Sequence, residues 1–321
     1  FRGKPGKGKH GVQSMKQSMT FFTAVACALG LNAESLNETF PLGVYHGWER
    51  TGAHAQYAGV SKEEYVDRLF GICKEMNCDT IWVVNCPNDR VRILKTAEKH
   101  GLGCLLNTAL QKYIIGGQFS GKMEDIDELA KQSVAEMSPY KSFLGYVLKD
   151  EPAAILADQL NYFADVFKRH DPKRDSLVVV SPRHFPNFLA APNLPVGCTD
   201  IYYFGGPYSD GDIPSTDSLL MYRRATRMAV ESGRRFKKNV WIMPQAFAEG
   251  YGASIVDPRT WKRTAKKGSY LIWRMPTDAE TRWQIWEALR AGAKGIIMFS
   301  LTDAGSLTED SIVNDKNDKY R

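Results

Sequence analysis

Two adjacent carboxylates and a proline, Asp150, Glu151 and Pro152, come directly after a mostly apolar run that begins at Phe143. A buried parallel strand that ends at a polar rim has this pattern. If the strand belongs to a closed α/β barrel, its carboxyl end lies at the face where such barrels keep their chemistry. A carboxylate pair there favours acid/base work on a substrate that needs no redox cofactor. We therefore expect no cofactor.

Glu151 is the candidate general acid/base of this pair. Its proton would pass to a glycosidic oxygen, and the neighbouring charge of Asp150 would raise the pKa of Glu151 towards the value that this step needs. The structural alternative is that the pair caps a helix, because carboxylates near a helix start, with Pro in the first turn, are common.

Glycoside cleavage requires a second carboxylate, and two residues could supply it by different mechanisms. Glu249, beyond the seventh predicted strand, could be a nucleophile if its carboxyl group lies about 5 Å from that of Glu151. Asp150 could instead orient a substrate acetamido group that attacks its own anomeric carbon. Glu249 could also be a solvated loop residue.

Polar and aromatic side chains near the predicted strand ends could bind a sugar. Aromatic rings can stack on pyranose faces, and polar groups can hydrogen-bond hydroxyl, acetamido or acidic groups. The candidate substrate-binding residues are Tyr45, Trp48, Asn85, Asn107, Arg183, His184, Tyr203 and Gln245. His184 is more readily a substrate contact than a metal ligand, because no second ligand has suitable spacing nearby. We expect no metal site.

The elements that must position these residues repeat as strand and helix. Strands are predicted at 41–45, 80–84, 102–106, 143–148, 177–180, 200–204, 240–243 and 295–299. Helices are predicted at 61–76, 89–100, 123–137, 153–170, 215–232 and 279–293. This spacing predicts an α/β fold, a (β/α)8 TIM barrel. An open doubly wound sheet is the alternative, but no Gly-x-Gly-x-x-Gly follows the first strand.

Four segments resemble bacterial glycoside hydrolases with a clan A type barrel. They are Asp150-Glu151-Pro152, Trp241 to Phe247, Pro276 to Glu280 and Gly292 to Ser300. The resemblance covers roughly Pro41 to Asp303.

The resemblance implies roles for individual positions. In that clan the acid/base is a Glu after the fourth strand, usually preceded by Asn, and the nucleophile is a Glu at the end of the seventh. Glu151 matches the first position, and Asp150 replaces the Asn. Gln245 stands where the nucleophile is expected, with Glu249 four residues further on. The Asp-Glu pair is also similar to that of N-acetylhexosaminidases that rely on substrate assistance.

The first 33 residues differ from the rest in composition and suggest export. Met15 opens a segment with Lys16, an apolar run over 21–31 and Ala33, which is typical of a secretory signal peptide. The run is too short to span a bilayer. Lipoprotein processing at Cys27 is the second choice. We therefore expect a secreted or periplasmic protein without stable membrane insertion, with a catalytic barrel over 34–305 and a polar tail or linker over 306–321.

Charge and cysteine usage narrow the class of partner. Five of the 42 basic residues and none of the 36 acidic ones lie in the first 33, which leaves 37 against 36. This balance argues against a nucleic-acid partner, and a carbohydrate is the expected one. The later cysteines have no close-spaced zinc pattern and are interpreted as small buried hydrophobes, with a disulfide left open. They are Cys73, Cys78, Cys86, Cys104 and Cys198.

Two functions from different classes fit the sequence. The first is a secreted glycoside hydrolase that acts on a polysaccharide or its oligosaccharides, with Glu151 as proton donor. The second is a non-catalytic carbohydrate-binding barrel, in which Glu151 is a helix cap and the aromatic rim only holds sugar. The first requires Glu151 to share a cleft with Glu249 or Asp150.

Overall fold

Eight parallel strands close into a barrel in the computed structural model of the protein, which describes residues 35–115, 118–205, 216–251, 254–256, 263–265, 270–302, 313–314 and 319–320. The barrel strands are β1 Leu42–Gly47, β2 Thr80–Val84, β3 Gly103–Asn107, β4 Phe143–Asp150, β5 Asp175–Val180, β6 Val196–Ile201, β7 Asn239–Pro244 and β8 Gly295–Met298. Each strand pairs with the next along the chain, and β8 pairs with β1. The predicted (β/α)8 barrel is confirmed.

Helices connect the strands and cover the outside of the barrel. Among the described residues they are α1 Thr51–Tyr57, α2 Lys62–Glu75, α3 Arg90–His100, α4 Ile126–Met137, α5 Ala157–His170, α6 Phe185–Leu189, α7 Thr216–Arg235 and α8 Asp278–Ala291. The six predicted helices are present, with ends moved by up to four residues. The two short ones, α1 and α6, carry too few turns to show a helical period in sequence.

Short elements fill the connections between these helices and strands. The 3-10 turns are Leu36–Glu38, Trp48–Arg50, Ala109–Tyr113, Met123–Asp125 and Ala154–Leu156. Antiparallel pairs join Ile114–Ile115 to Gln118–Phe119, Glu249–Tyr251 to Tyr270–Trp273, Ser254–Val256 to Arg263–Ala265, and Val313–Asn314 to Lys319–Tyr320.

Alternating side chains of the strands form two apolar clusters, as the two-residue period of a strand requires. Residues such as Trp82, Val147 and Trp241 pack inside the barrel. The intervening residues pack outward against the helices. Leu36 belongs to the inner cluster, and the Asp175 carboxylate accepts hydrogen bonds from the Leu36 N–H at 2.8 Å and the Ser35 hydroxyl at 2.7 Å. The segment before β1 is therefore tied to the start of β5.

The sixth strand begins four residues and ends three residues earlier than the sequence predicts. It runs over Val196–Ile201 and not over 200–204. The prediction followed the aromatic run Tyr202 to Phe204, because aromatic residues favour strands, whereas Gly197 and Thr199 weaken the apolar signal of the true strand. Asp200 consequently lies at the carboxyl end of β6 and continues the inward alternation of Val196 and Cys198.

The five cysteines named above are buried and unpaired, which confirms their interpretation as small buried side chains. Among the described residues, no helix combines the length and the apolar content needed to cross a membrane. The predicted signal peptide lies outside the described residues and stays a prediction, as do the cleavage site and the tail.

Candidate active site

A cavity of about 310 Å³ opens at the carboxyl end of the barrel, over the ends of β4 to β8. Its lining combines acidic and aromatic side chains with a few small ones. The lining residues are Asp150, Glu151, Val179, Ser181, Pro182, Asp200, Tyr202, Tyr203, Met243, Phe247, Trp273 and Phe299. The two adjacent carboxylates therefore share a cleft, as the enzyme hypothesis requires.

A bulge in β4 directs Asp150 into this cavity. Val147 lies in the inner cluster, so strict alternation would place Lys149 inside the barrel and Asp150 outside. The pairing with β5 shifts between Val147 and Lys149, which reverses the alternation and is a recurrent feature beside active sites. Asp150 then accepts a hydrogen bond from the Tyr45 hydroxyl at 2.7 Å.

Burial is the main influence on the ionisation of Asp150. It raises the pKa of Asp150 to about 6, because a buried carboxylate loses the hydration that stabilises its charge. The hydrogen bond from Tyr45 opposes this rise, and the charge of Glu151 adds to it. Asp150 is thus mostly ionised at neutral pH, and Tyr45 holds its position.

Glu151 is exposed to solvent at the edge of the cavity and has an unusual backbone conformation. Its φ angle is 43°, in the left-handed region that non-glycine residues rarely adopt. Its N–H donates to the carbonyl of Val179 at 3.0 Å, which ties the end of β4 to β5. Such strain costs about 1–3 kcal/mol and concentrates at functional sites. The helix-cap alternative is wrong, because neither the turn Ala154–Leu156 nor α5 has a side-chain cap.

Asp200 is a third acidic residue of the cavity, and the sequence analysis did not select it. Its side chain is 5% exposed and lies beside that of Glu151. Burial, followed by the neighbouring Glu151 carboxyl group, raises the pKa of Asp200. Its Oδ1 atom is buried and has no hydrogen-bond partner among the described residues. The alternation of Val196, Cys198 and Asp200 was the signal, but the predicted strand began too late to use it.

Four aromatic rings form the wall of the cavity opposite β4 and β5. Phe247 lies 4.9 Å from both Tyr202 and Phe299, measured between ring centroids, and 5.6 Å from Trp273. Tyr203 also lines the cavity, as predicted for a substrate contact. The sequence analysis did not select Phe247, Trp273 or Phe299 as candidate contacts.

Gln245 does not line the cavity, contrary to its predicted role as a sugar contact. It is fully buried, and its amide nitrogen donates to the carbonyls of Phe204 and Arg274, both at 2.8 Å. Its amide oxygen accepts from the N–H of Phe204 at 3.0 Å. The Gln245 side chain thus links the end of β7 to the backbone that follows β6.

The predicted contacts on the first three strands are not in the cavity, because it lies over β4 to β8. Trp48 is buried, and its indole N–H donates to Asp89 at 2.7 Å. Asn85 donates to the Glu49 carboxylate at 3.1 Å on the surface. Asn107 is buried and accepts from the Cys86 thiol at 3.3 Å.

Four further predicted residues lie near the cavity or in segments next to it. Tyr45 is 5% exposed and contacts the site through its hydrogen bond to Asp150 and its ring contact with Phe299. Arg183 and His184 follow Pro182, which does line the cavity, but neither belongs to the lining. The backbone of Glu249 is in register with Trp273, and the Glu249 side chain lies outside what the structure describes.

Within the described part of the chain, no group of three or more His, Cys, Asp or Glu residues has the arrangement of a metal site.

Comparison with known proteins is informative about the fold. No protein-family model and no curated protein sequence matches the chain. Solved structures similar in fold include a β-D-glucuronidase from Dictyoglomus thermophilum (TM-score 0.58, 13% identity). Others are a Faecalibacterium prausnitzii β-glucuronidase (0.59, 11%) and GH5_18 from Streptomyces cattleya in complex with GlcNAc (0.57, 12%).

The matches cover most of this chain but different shares of the other chains. The Dictyoglomus glucuronidase match covers 86% of this chain and 48% of that one, and the Faecalibacterium glucuronidase match covers 86% and 46%. The GH5_18 match covers 88% of this chain and 77% of that one. The chain thus spans about half the length of the two glucuronidases. At these identities the similarity shows a barrel fold that these enzymes share.

Proposed function

We propose that the chain is a glycoside hydrolase that uses Glu151 as its general acid/base. The observation that supports this most strongly is the convergence of Asp150, Glu151 and Asp200 on one aromatic-walled cavity at the carboxyl end of the barrel. Acidic residues deliver protons and stabilise positive charge at the anomeric carbon, and aromatic rings bind the sugar faces.

Glu151 supplies the proton in this proposal, and Asp200 is a second carboxyl group beside it. Burial and the Glu151 charge raise the pKa of Asp200. Glu151 is the exposed member, so it contacts the glycosidic oxygen and donates the proton to it. Asp200 is buried and lines the same cavity as Glu151.

Asp150 is the second carboxylate in this proposal. Tyr45 fixes its position, and the raised pKa of about 6 leaves it ionised at neutral pH. It either orients a substrate acetamido group for attack on the anomeric carbon or acts on that carbon directly. Glu249 is the alternative nucleophile, on a segment whose backbone pairs with the cavity residue Trp273.

The alternative is a non-catalytic carbohydrate-binding barrel, and the absence of a carboxylate at Gln245 is what favours it. The acidic residues of the cavity argue against this alternative, because they destabilise the folded protein. A site that only binds a neutral sugar gains nothing from two carboxyl groups with raised pKa values and a strained Glu151 backbone. An enzyme needs groups of this kind, so we favour the hydrolase.

The substrate is proposed to be a polysaccharide or its oligosaccharides, and the protein to be secreted or periplasmic. The second point depends on the composition of the first 33 residues. The structures with a similar fold include a glucuronidase and an enzyme in complex with GlcNAc. The fold is therefore compatible with more than one sugar.

Hydrolysis of a panel of aryl glycosides, including N-acetylhexosaminides, tests the proposal. The wild-type protein is compared with Glu151→Gln and with Asp158→Asn, an exposed carboxylate of α5 outside the cavity. Turnover should fall about 10²- to 10⁴-fold in Glu151→Gln, since one positioned proton donor contributes that factor, and stay unchanged in Asp158→Asn. Equal turnover by all three proteins would refute the role of Glu151.

A further inference from the structure

The charged residues in the described lining of the cavity are all of one sign. Among the described lining residues, three are acidic and none is basic. Asp150 is mostly ionised at neutral pH, since its pKa is about 6. The lining thus repels an anionic sugar substituent and attracts a cationic one.

One buried atom of this cluster lacks a partner. Asp200 is 5% exposed, lines the cavity, and its Oδ1 atom has no hydrogen-bond donor among the described residues. A buried carboxylate oxygen without a donor costs free energy, so its partner is expected to arrive with the ligand. A carboxylate oxygen accepts hydrogen bonds, which means that the ligand must present an N–H or O–H group.

The aromatic wall adds a second preference for positive charge. Tyr202, Phe247, Trp273 and Phe299 pack together and line the same cavity as the carboxyl groups. The faces of aromatic rings attract cations as well as stacking on sugars. Aromatic faces next to carboxylates are a combination that favours an ammonium group over a neutral hydroxyl.

We propose that the sugar bound in this cavity carries a protonated amine, so that the substrate is an amino sugar whose nitrogen is not acetylated, with Asp200 as the acceptor of its N–H group. This inference rests on the proposed function for the identity of the ligand as a sugar. It makes Asp200 a specificity-determining residue, in addition to its place beside Glu151.

The inference also decides between the two routes open to Asp150. An ammonium group has no lone pair, and without an acyl oxygen it cannot attack the anomeric carbon. Asp150 or Glu249 must then act on that carbon directly, and the substrate-assisted route does not operate.

Two basic residues of the described part of the chain adjoin lining residues without belonging to the lining. Lys149 precedes Asp150 in the chain and lowers the pKa of that residue. Arg183 follows the lining residue Pro182 and is exposed. The charged residues that line the cavity within the described ranges are therefore all acidic.

Binding of three matched oligosaccharides tests the inference. The glucosamine trimer, its fully N-acetylated counterpart and cellotriose share one backbone and differ at carbon 2. Calorimetric titration into Glu151→Gln at about pH 6.5, where the amine is protonated, gives their affinities. We expect the glucosamine trimer to bind about 10- to 100-fold tighter than the others, the range expected of a hydrogen bond between charged groups.

Two further variants distinguish a specific contact with Asp200 from a general effect of negative charge on the protein. Adding Asp200→Asn should remove most of the preference, and adding Asp158→Asn should leave it intact. Equal affinities, tighter binding of the acetylated trimer, or no binding of the glucosamine trimer would overturn the inference. So would displacement of the trimer by millimolar Ca²⁺ or Mg²⁺, because the cluster would then be a cation site.

The outcomes also separate this inference from the proposed function. Preferential binding without hydrolysis of any glycoside by the wild-type protein would uphold the amine site and defeat the hydrolase. Hydrolysis of neutral glycosides without any preference for amines would do the reverse.

Discussion

Replacing Tyr45 with Phe removes one hydroxyl group and tests how the site controls Asp150. The Tyr45 hydroxyl donates to Asp150 at 2.7 Å, and the ring is 5% exposed and lies 4.7 Å from Phe299 between centroids. Phe preserves this packing and deletes only the hydrogen bond. A hydrogen bond to a charged group contributes about 1.5–3 kcal/mol, which corresponds to a pKa change of about 1–2 units.

The pKa of Asp150, about 6 in the wild type, should rise in Tyr45→Phe. The ionised form loses its donor, so a higher pH is needed to form it. If the reaction needs ionised Asp150, the acidic limb of the kcat/KM profile should move by about 1–2 pH units to higher pH. Activity should fall about 10-fold or more near the wild-type midpoint and converge with the wild type at alkaline pH.

A pH profile measured with the best aryl glycoside of the panel checks this shift. Tyr146→Phe is the matched control, because the Tyr146 hydroxyl also donates at 2.7 Å to a buried carboxylate, Asp171, outside the cavity. The control should lower stability and leave the limb in place. An acidic limb that stays unmoved in Tyr45→Phe would refute the assignment of Asp150.

Three further variants test other parts of the structure. Gln245→Glu should lower the melting temperature without adding activity, because its carboxylate would face backbone carbonyls at the two positions where the amide nitrogen now donates. Asp200→Asn should raise the melting temperature above that of the wild type at neutral and alkaline pH. The gain should vanish below about pH 4. The reason is that the pKa of Asp200 is raised in the folded state, so its ionisation destabilises the folded protein only as the pH rises. A pH series of thermal melts checks both variants. Asp175→Ala should destabilise the fold by about 2–4 kcal/mol in urea unfolding, since the Leu36 N–H, the Ser35 hydroxyl and Lys168 lose their acceptor. A melting temperature preserved in Gln245→Glu, a pH-independent gain in Asp200→Asn, or a midpoint unchanged in Asp175→Ala would contradict these expectations.

The barrel could be predicted from sequence because its strands and helices repeat at a regular spacing. β2 is observed at the predicted residues, and the ends of the other strands differ from the prediction by at most four residues. The pair Asp150 and Glu151 could be placed at a strand end because apolar residues change abruptly to acidic ones. Both patterns are formed by residues close together in the chain, so they can be recognised in a single sequence.

The rest of the site depends on contacts between distant segments, which local pattern does not carry. The bulge in β4 that turns Asp150 inward is visible only in its register with β5. Gln245 has the composition of a sugar contact, but its partners Phe204 and Arg274 make it structural. The strand signal before Asp200 is weakened by Gly and Thr, so the predicted strand began at Asp200 and placed this residue at the end of the strand away from the site.

Dependence on the leaving group tests the role of Glu151 most directly. Wild-type protein and Glu151→Gln are assayed on aryl glycosides of one sugar whose phenols range from weakly to strongly acidic. Proton donation matters most for poor leaving groups. The account predicts that Glu151→Gln loses about 10²- to 10⁴-fold on the least acidic phenol and little of the bond-cleavage rate on dinitrophenol. An equal loss across the series, or no loss at all, would contradict Glu151 as the proton donor.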